Sequence, residues 1–168
     1  YGVDIFNLQR AKSITKNKLI EVGLEGGATI KGRTVIIATG ATWRTLNVPG
    51  EAEFRNRGVS FCPHCDGPMF KGERIAVIGG GNSGVEAAID LAGVAGHVTL
   101  LARGNTLKAD QVLQNRLYSL PNVTVIKNAS TTAITGKDSV DGVLYTDTAS
   151  NTEHRLDVEG VFVQVGLV

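Results

Sequence analysis

Two cysteines stand three residues apart in Phe61-Cys62-Pro63-His64-Cys65-Asp66-Gly67. That spacing closes a small disulfide, and such a pair stores two electrons. A thiol at a helix start gains thiolate character, and the thiolate is the attacking species in exchange. Pro63 suits a first helical turn, where its missing N–H costs nothing. Asp66 could supply or take the proton that moves when the disulfide is reduced, or it could serve only as a cap. His64 could steady a thiolate or only tune its surroundings. Soon afterwards comes Gly79-Gly80-Gly81-Asn82-Ser83-Gly84, a G-x-G-x-x-G run. In that pattern the first glycine makes a tight turn and the second lets the backbone approach a pyrophosphate. The third packs a helix closely on its strand, and the helix N-terminus then faces the phosphate charge. A hydride-carrying nucleotide beside an electron-storing dithiol points to electron flow from nicotinamide to sulfur. Nicotinamide does not ordinarily reduce a disulfide directly, so the chemistry asks for a flavin between them, and FAD is expected.

The cofactor preference stays open. An Asp or Glu about 20 residues past the glycine loop would hold the ribose 2′-OH of NADH. This chain instead has Leu101-Ala102-Arg103-Gly104-Asn105, with Lys108 beyond. Cations there favour the 2′-phosphate of NADPH, unless Arg103 simply faces solvent. No metal site is expected: only His64, His97 and His154 join the two cysteines, without ligand spacing. Two cysteines three apart are not a structural disulfide framework, and redox use suits a reducing, cytoplasmic compartment. A non-catalytic nucleotide-binding module is the alternative from another class, and the vicinal cysteines argue against it.

These residues need a scaffold, and the pattern supplies an α/β one. Of 168 residues, 42% are hydrophobic and 20% charged, and the net charge is +1. That balance gives no general pull toward nucleic acid or membrane, and the apolar runs are too short for a bilayer span. The 21 glycines exceed the usual share of roughly 7% and suit tight turns. Arg74–Ile78, a helix opening at Asn82 or Ser83, and Val98–Leu101 form a β-turn-α-β unit with a parallel sheet. A second helix spans Asp110–Leu120 before Pro121, and Val123–Ile126 is the next strand. Thr131–Ile134, Val143–Thr146 and Arg155–Val158 read as a β-meander, and Gly160–Val165 as a last buried strand. Upstream, Val3–Phe6, Lys18–Leu24 and Thr29–Lys31 read as strands. Thr34–Ala38 reads as a buried apolar strand ending in Ala38-Thr39-Gly40. The chain opens at Tyr1 and stops at Gly166-Leu167-Val168 after an apolar run, which reads as an excerpt of a longer protein.

The blocks Phe61–Pro68, Phe70-Lys71-Gly72 and Gly79–Ala88 resemble the low-molecular-weight thioredoxin reductase family of flavoproteins. Within it they are most similar to the flavoprotein components of bacterial alkyl hydroperoxide reductases. Lys108-Ala109-Asp110 and Gly160–Gly166 extend the likeness. The resemblance implies an FAD-dependent NAD(P)H:disulfide oxidoreductase, with Cys65 facing the flavin, Cys62 exchanging with the next disulfide and Asp66 donating a proton. It implies nucleotide-binding roles for Gly79, Gly80, Gly81, Asn82, Ser83, Gly84 and Glu86, joined by Arg103 and Lys108, and places Ala38, Thr39 and Gly40 near the flavin. It implies a segment of FAD domain over 1–47, a nucleotide domain with the dithiol over 48–165, and a return linker over 166–168. The implied partner is a peroxiredoxin-type peroxide-reducing protein or, for a thioredoxin reductase, a thioredoxin-like protein, and the whole protein would be a homodimer. The family's FAD-binding glycine motif and later Gly-Asp motif do not occur in these 168 residues, so this chain alone is not expected to hold FAD firmly. The alkyl hydroperoxide reductase flavoproteins ordinarily carry an acidic residue at the position of Ala102 and prefer NADH, against the reading of Arg103.

Overall fold

The computed structural model describes residues 2–167. The chain divides into two compact units, Tyr1–Gly40 and Ala41–Val168. In the first, β1 (Ala11–Lys16), β2 (Ile20–Leu24) and β3 (Thr29–Gly32) form an antiparallel meander in that order. Val22 pairs with Ile14 on one side and Ile30 on the other. Glu21 and Lys31 face each other across β2 and β3 and make a 2.8 Å ion pair, the favourable cross-strand arrangement. Two expected strands do not form. Residues 3–6 and 34–38 are coil, and Ile36 and Ile37 lie exposed. A continuous apolar run becomes a strand only with a neighbour for its ladder and cover on both faces. The three-stranded meander gives 34–38 neither.

The second unit begins with β4 (Val59–Ser60), helix α1 (Pro63–Asp66) and a 3₁₀ turn over Gly67–Phe70. Next come β5 (Arg74–Ile78), α2 (Asn82–Ala92), β6 (His97–Leu101), α3 (Gln111–Tyr118) and β7 (Val123–Ile126). An antiparallel meander follows, β8 (Ala129–Gly136), β9 (Val140–Asp147) and β10 (Thr152–Asp157), and then β11 (Gly160–Val163). The main sheet is parallel, in the order β4-β11-β5-β6-β7. The chain winds outward from β5 through β6 to β7, then returns through the meander to β11 on the other side of β5. The fold is α/β, a Rossmann-type parallel sheet with an added β-meander.

Alternation along β5 explains the layers. Ile75 and Val77 join Val98, Leu100 and Phe162 in a core with Val85, Ala88 and Leu91 of α2 and Leu117 of α3. Ala76 and Ile78 point the other way and pack with Ile134, Val143 and Val158, at the meander face. A strand covered on both faces needs no polar residue, which is why Ile75-Ala76-Val77-Ile78 reads as an unbroken apolar run. Phe70 closes the helix-side core edge-on against Phe162, with ring centroids 5.4 Å apart. The start of β5 is pinned to the turn before β11, because the Arg74 guanidinium and backbone N–H both bond the Glu159 carboxylate. That partnership holds the Glu159 carboxyl below its ordinary range.

Candidate functional site

The glycine loop sits at the carboxyl end of β5, where the sheet's winding reverses and ligands of such folds bind. Gly79 has φ +142°, and a Cβ there would lie 2.1 Å from the Gln164 carbonyl oxygen. Only glycine fits. A Cβ on Gly84 would lie 1.9 Å from the Gly79 carbonyl oxygen, so this glycine sets how closely α2 approaches the loop. A Cβ on Gly81 would meet no protein atom within 4 Å. Its bare backbone faces open space instead, as a phosphate cradle requires. The open space is a groove of about 910 Å³ across the carboxyl ends of β6, β5 and β11. Arg103 and Lys108 line it beyond β6, Gly79–Ser83 beyond β5, and Gln164–Gly166 beyond β11.

A second stretch of chain is strapped to the loop. The Lys108 N–H donates to the Gly80 carbonyl at 2.7 Å. The Asp110 N–H donates to Asn82 Oδ1 at 2.8 Å, and Asn82 Nδ2 returns a bond to Asp110 Oδ2 at 3.0 Å. Gln114 Nε2 adds a bond to the Ala109 carbonyl at 2.7 Å. Asn82 therefore fastens the loop to the N-terminus of α3, and Lys108 reaches the groove from a fixed backbone. Arg103 and Lys108 are exposed and form no ion pair among the described residues. The arrangement fits a dinucleotide with its pyrophosphate on the glycine loop.

The dithiol lies between β4 and the 3₁₀ turn. Cys62 and Cys65 are disulfide-bonded, with Cα atoms 5.3 Å apart. Cys62 is the N-cap of α1, and its Sγ accepts the Cys65 N–H at 3.3 Å. Cys62 is half-buried and Cys65 exposed. Behind them Ser60, buried at the end of β4, ties the segment together. Its Oγ donates to Asp66 Oδ2 at 2.6 Å and accepts the Cys62 N–H at 3.1 Å. Asp66 is thereby held within the dithiol turn by a partner that reading residue types did not single out. His64 turns away, with Nε2 3.8 Å from Asp90 Oδ2 on α2. Glu86 lines a second groove of about 750 Å³, beside Pro63, His64 and Asp90, and not the nucleotide groove. Ala38, Thr39 and Gly40 are exposed coil in the other unit. Among the described residues no three His, Cys, Asp or Glu side chains converge as metal ligands. Nor is any helix long and apolar enough to cross a membrane.

Residues 1–168 match the family described as pyridine nucleotide-disulphide oxidoreductase. The chain belongs to that family. It is 61% identical over its full length to a Bacillus subtilis protein named NADH dehydrogenase, covering 33% of that protein. It is 56% identical to the F component of Pseudomonas putida alkyl hydroperoxide reductase, covering all of this chain and 33% of that one. The chain thus spans about a third of the length of the curated relatives it matches. Among solved structures, thioredoxin reductase from T. acidophilum superposes with a TM-score of 0.79 at 34% identity. The match covers 95% of this chain and 53% of that one. Thioredoxin reductase from Giardia duodenalis gives 0.83 at 26% identity, covering 95% and 52%. Membership in the pyridine nucleotide-disulphide oxidoreductase family accords with the glycine cradle and the cysteine pair on one α/β unit.

Sequence reasoning missed Ser60 and the Asn82–Asp110 clasp as parts of the site. A lone serine carries no spacing signal. Asp110 was visible as the start of a helix and as part of Lys108-Ala109-Asp110, but its contact with Asn82 needs the fold. Glu51 was missed as well. It is buried and accepts the Leu46 and Asn47 N–H groups at 2.8 and 2.7 Å, fixing the segment that enters the second unit.

Proposed function

We propose that this chain is the nucleotide-binding and dithiol part of an FAD-dependent NAD(P)H:disulfide oxidoreductase, of the type that serves as the flavoprotein of alkyl hydroperoxide reductase. The observation that carries it is the placement on one compact unit of a phosphate cradle that opens into one groove and of a disulfide whose short helix lends Pro63 and His64 to the adjoining groove. Gly79–Ser83 would hold the pyrophosphate and Lys108 its charge. Bound in the whole protein, FAD would supply the chemistry that links hydride transfer to an electron pair for sulfur. The Cys62–Cys65 bond takes up two electrons and breaks. One sulfur leaves as thiolate and the other is protonated, with Asp66, held by Ser60, as the proton source. Cys65, exposed, would receive the electrons. Cys62 would then attack a partner disulfide, forming a mixed disulfide that Cys65 resolves, so the pair is re-oxidised as the partner gains two thiols. The partner chemistry is that of a peroxiredoxin-type protein, and alkyl hydroperoxide reductase relatives at 54–56% identity support this over a thioredoxin-like protein. Domain bounds of 1–47 and 48–165, a cytoplasmic setting and a homodimer of the whole protein belong to the same proposal.

Anaerobic addition of NADH to the intact protein is expected to release two thiols, identified as Cys62 and Cys65 by alkylation and peptide mapping. If neither becomes alkylated, this reading fails. Nucleotide choice is tested separately. With a 2′-phosphate on Arg103, Arg103→Ala is expected to weaken NADPH binding about tenfold or more, the worth of one charge-assisted hydrogen bond. NADH affinity should stay unchanged. An unaltered NADPH-to-NADH affinity ratio would show that Arg103 faces solvent and that the site is built for NADH.

A further inference from the structure

Gln164 occupies an unusual position. It follows β11, is 6% exposed, and lines both grooves described above. Its backbone N–H donates to the Ile78 carbonyl at 2.8 Å, and its own carbonyl sits against Gly79. Its side-chain Nε2 donates to the Phe61 carbonyl at 3.0 Å, one residue before Cys62. That bond fixes which end of the amide is nitrogen. Oε1 accepts no hydrogen bond among the described residues and is not sealed in the core. A largely buried amide is therefore held rigidly with its acceptor unused.

The strand order says what lies beside it. If the groove holds a dinucleotide, its adenosine end is set by the residues after β6, and its pyrophosphate by the loop after β5. The remaining end must extend over the neighbour on the other side of β5, which is β11. That end carries nicotinamide, a ring bearing a primary carboxamide with two N–H donors.

We propose that Gln164 determines specificity for nicotinamide, its Oε1 accepting a hydrogen bond from the ring's carboxamide while Nε2 is anchored on the Phe61 carbonyl. The proposal rests on the nucleotide-groove reading and adds to it the residue that recognises the reactive ring. A fixed acceptor discriminates against an analogue that lacks the matching donor, because the amide oxygen is then desolvated without a partner.

The test measures binding to the intact protein by calorimetry, using NAD, its 3-acetylpyridine analogue and ADP-ribose. The acetyl group keeps the carbonyl but has no N–H, and ADP-ribose lacks the ring entirely. Wild-type protein is expected to bind NAD about five- to tenfold tighter than the acetylpyridine analogue, the worth of one hydrogen bond. Gln164→Met, of similar length and without an acceptor amide, is expected to erase that difference and leave ADP-ribose affinity unchanged. Equal wild-type affinity for NAD and the analogue would overturn the proposal without any variant. So would discrimination that survives in Gln164→Met. Loss of ADP-ribose binding in the variant would make Gln164 a structural residue only, which also overturns it. Failure of wild-type protein to bind ADP-ribose would instead bring down the nucleotide-groove reading beneath it.

Discussion

In the intact protein, Cys65→Ser is expected to lower NADH-driven reduction of a disulfide acceptor by about three orders of magnitude or more. Residues that act as a unit in covalent chemistry show losses of that size or larger when one is removed. Serine cannot close the S–S bond with Cys62, so the site cannot store an electron pair. Cys62 left alone could still attack a partner disulfide, but no neighbouring thiol would resolve the mixed species, and the reaction would stop at a covalent adduct. The fold should tolerate the change. Cys65 is exposed, and its backbone bond to the Cys62 sulfur is local. A bridge across so short a loop restricts the unfolded chain by about 2 kcal/mol at most. Nucleotide affinity should stay within about twofold of wild type, because the glycine groove does not include Cys65. Stopped-flow turnover with a small disulfide acceptor, paired with a nucleotide titration, reads both quantities. Undiminished turnover would show that electrons leave by another route, and the dithiol mechanism would fall.

The contrast between the two units shows what a sequence can and cannot disclose. Strand β5 was legible to the residue, because the apolar run Ile75–Ile78, bounded by Arg74 and Gly79, matches a strand buried on both faces. Helix α2 was legible for a different reason: its start coincides with a glycine pattern whose steric demands are local. Cys62 as the cap of α1 followed from Cys-Pro at a first turn. The apolar run at 34–38 carries the same signal as β5 and yet stays exposed coil. Composition specifies that a strand can be buried, and only the neighbours decide whether it is. The short strand β4 escaped notice because two residues have no period. Ser60 at its end bonds Cys62 and Asp66 within six residues, yet a lone serine has no spacing that marks it. Gln164 was likewise hidden. Its contact with Phe61 spans 103 positions, and no local pattern encodes a contact created by a crossover through the β8–β10 meander.

Two alanines in the glycine loop are expected to affect stability in opposite directions while both impair binding. Gly81 has φ −92° and ψ −176°, extended backbone that any residue adopts, and its Cβ would meet no protein atom within 4 Å. Gly81→Ala should therefore leave stability unchanged or raise it by about 0.4–1 kcal/mol, through the unfolded chain. The added methyl nonetheless occupies the space a pyrophosphate oxygen needs, and loss of one or two charge-assisted hydrogen bonds should weaken NADH binding about 10- to 100-fold. Gly84→Ala is different in kind. Its Cβ would lie 1.9 Å from the Gly79 carbonyl oxygen and 2.6 Å from the carbonyl carbon. Backbone atoms cannot swing aside as a side-chain tip can, so either α2 lifts off β5 or the loop opens. Overpacking of that kind costs about 1–3 kcal/mol, and the displaced loop loses the cradle as well. Urea midpoints at constant m-value give the stability change, and calorimetric titration gives the binding change. If Gly81→Ala binds NADH as tightly as wild type, the open space above that residue is not where phosphate sits. The loop would then be only a turn that lets α2 pack against β5. If both variants lose stability equally, the separation of ligand-facing from packing glycines is wrong.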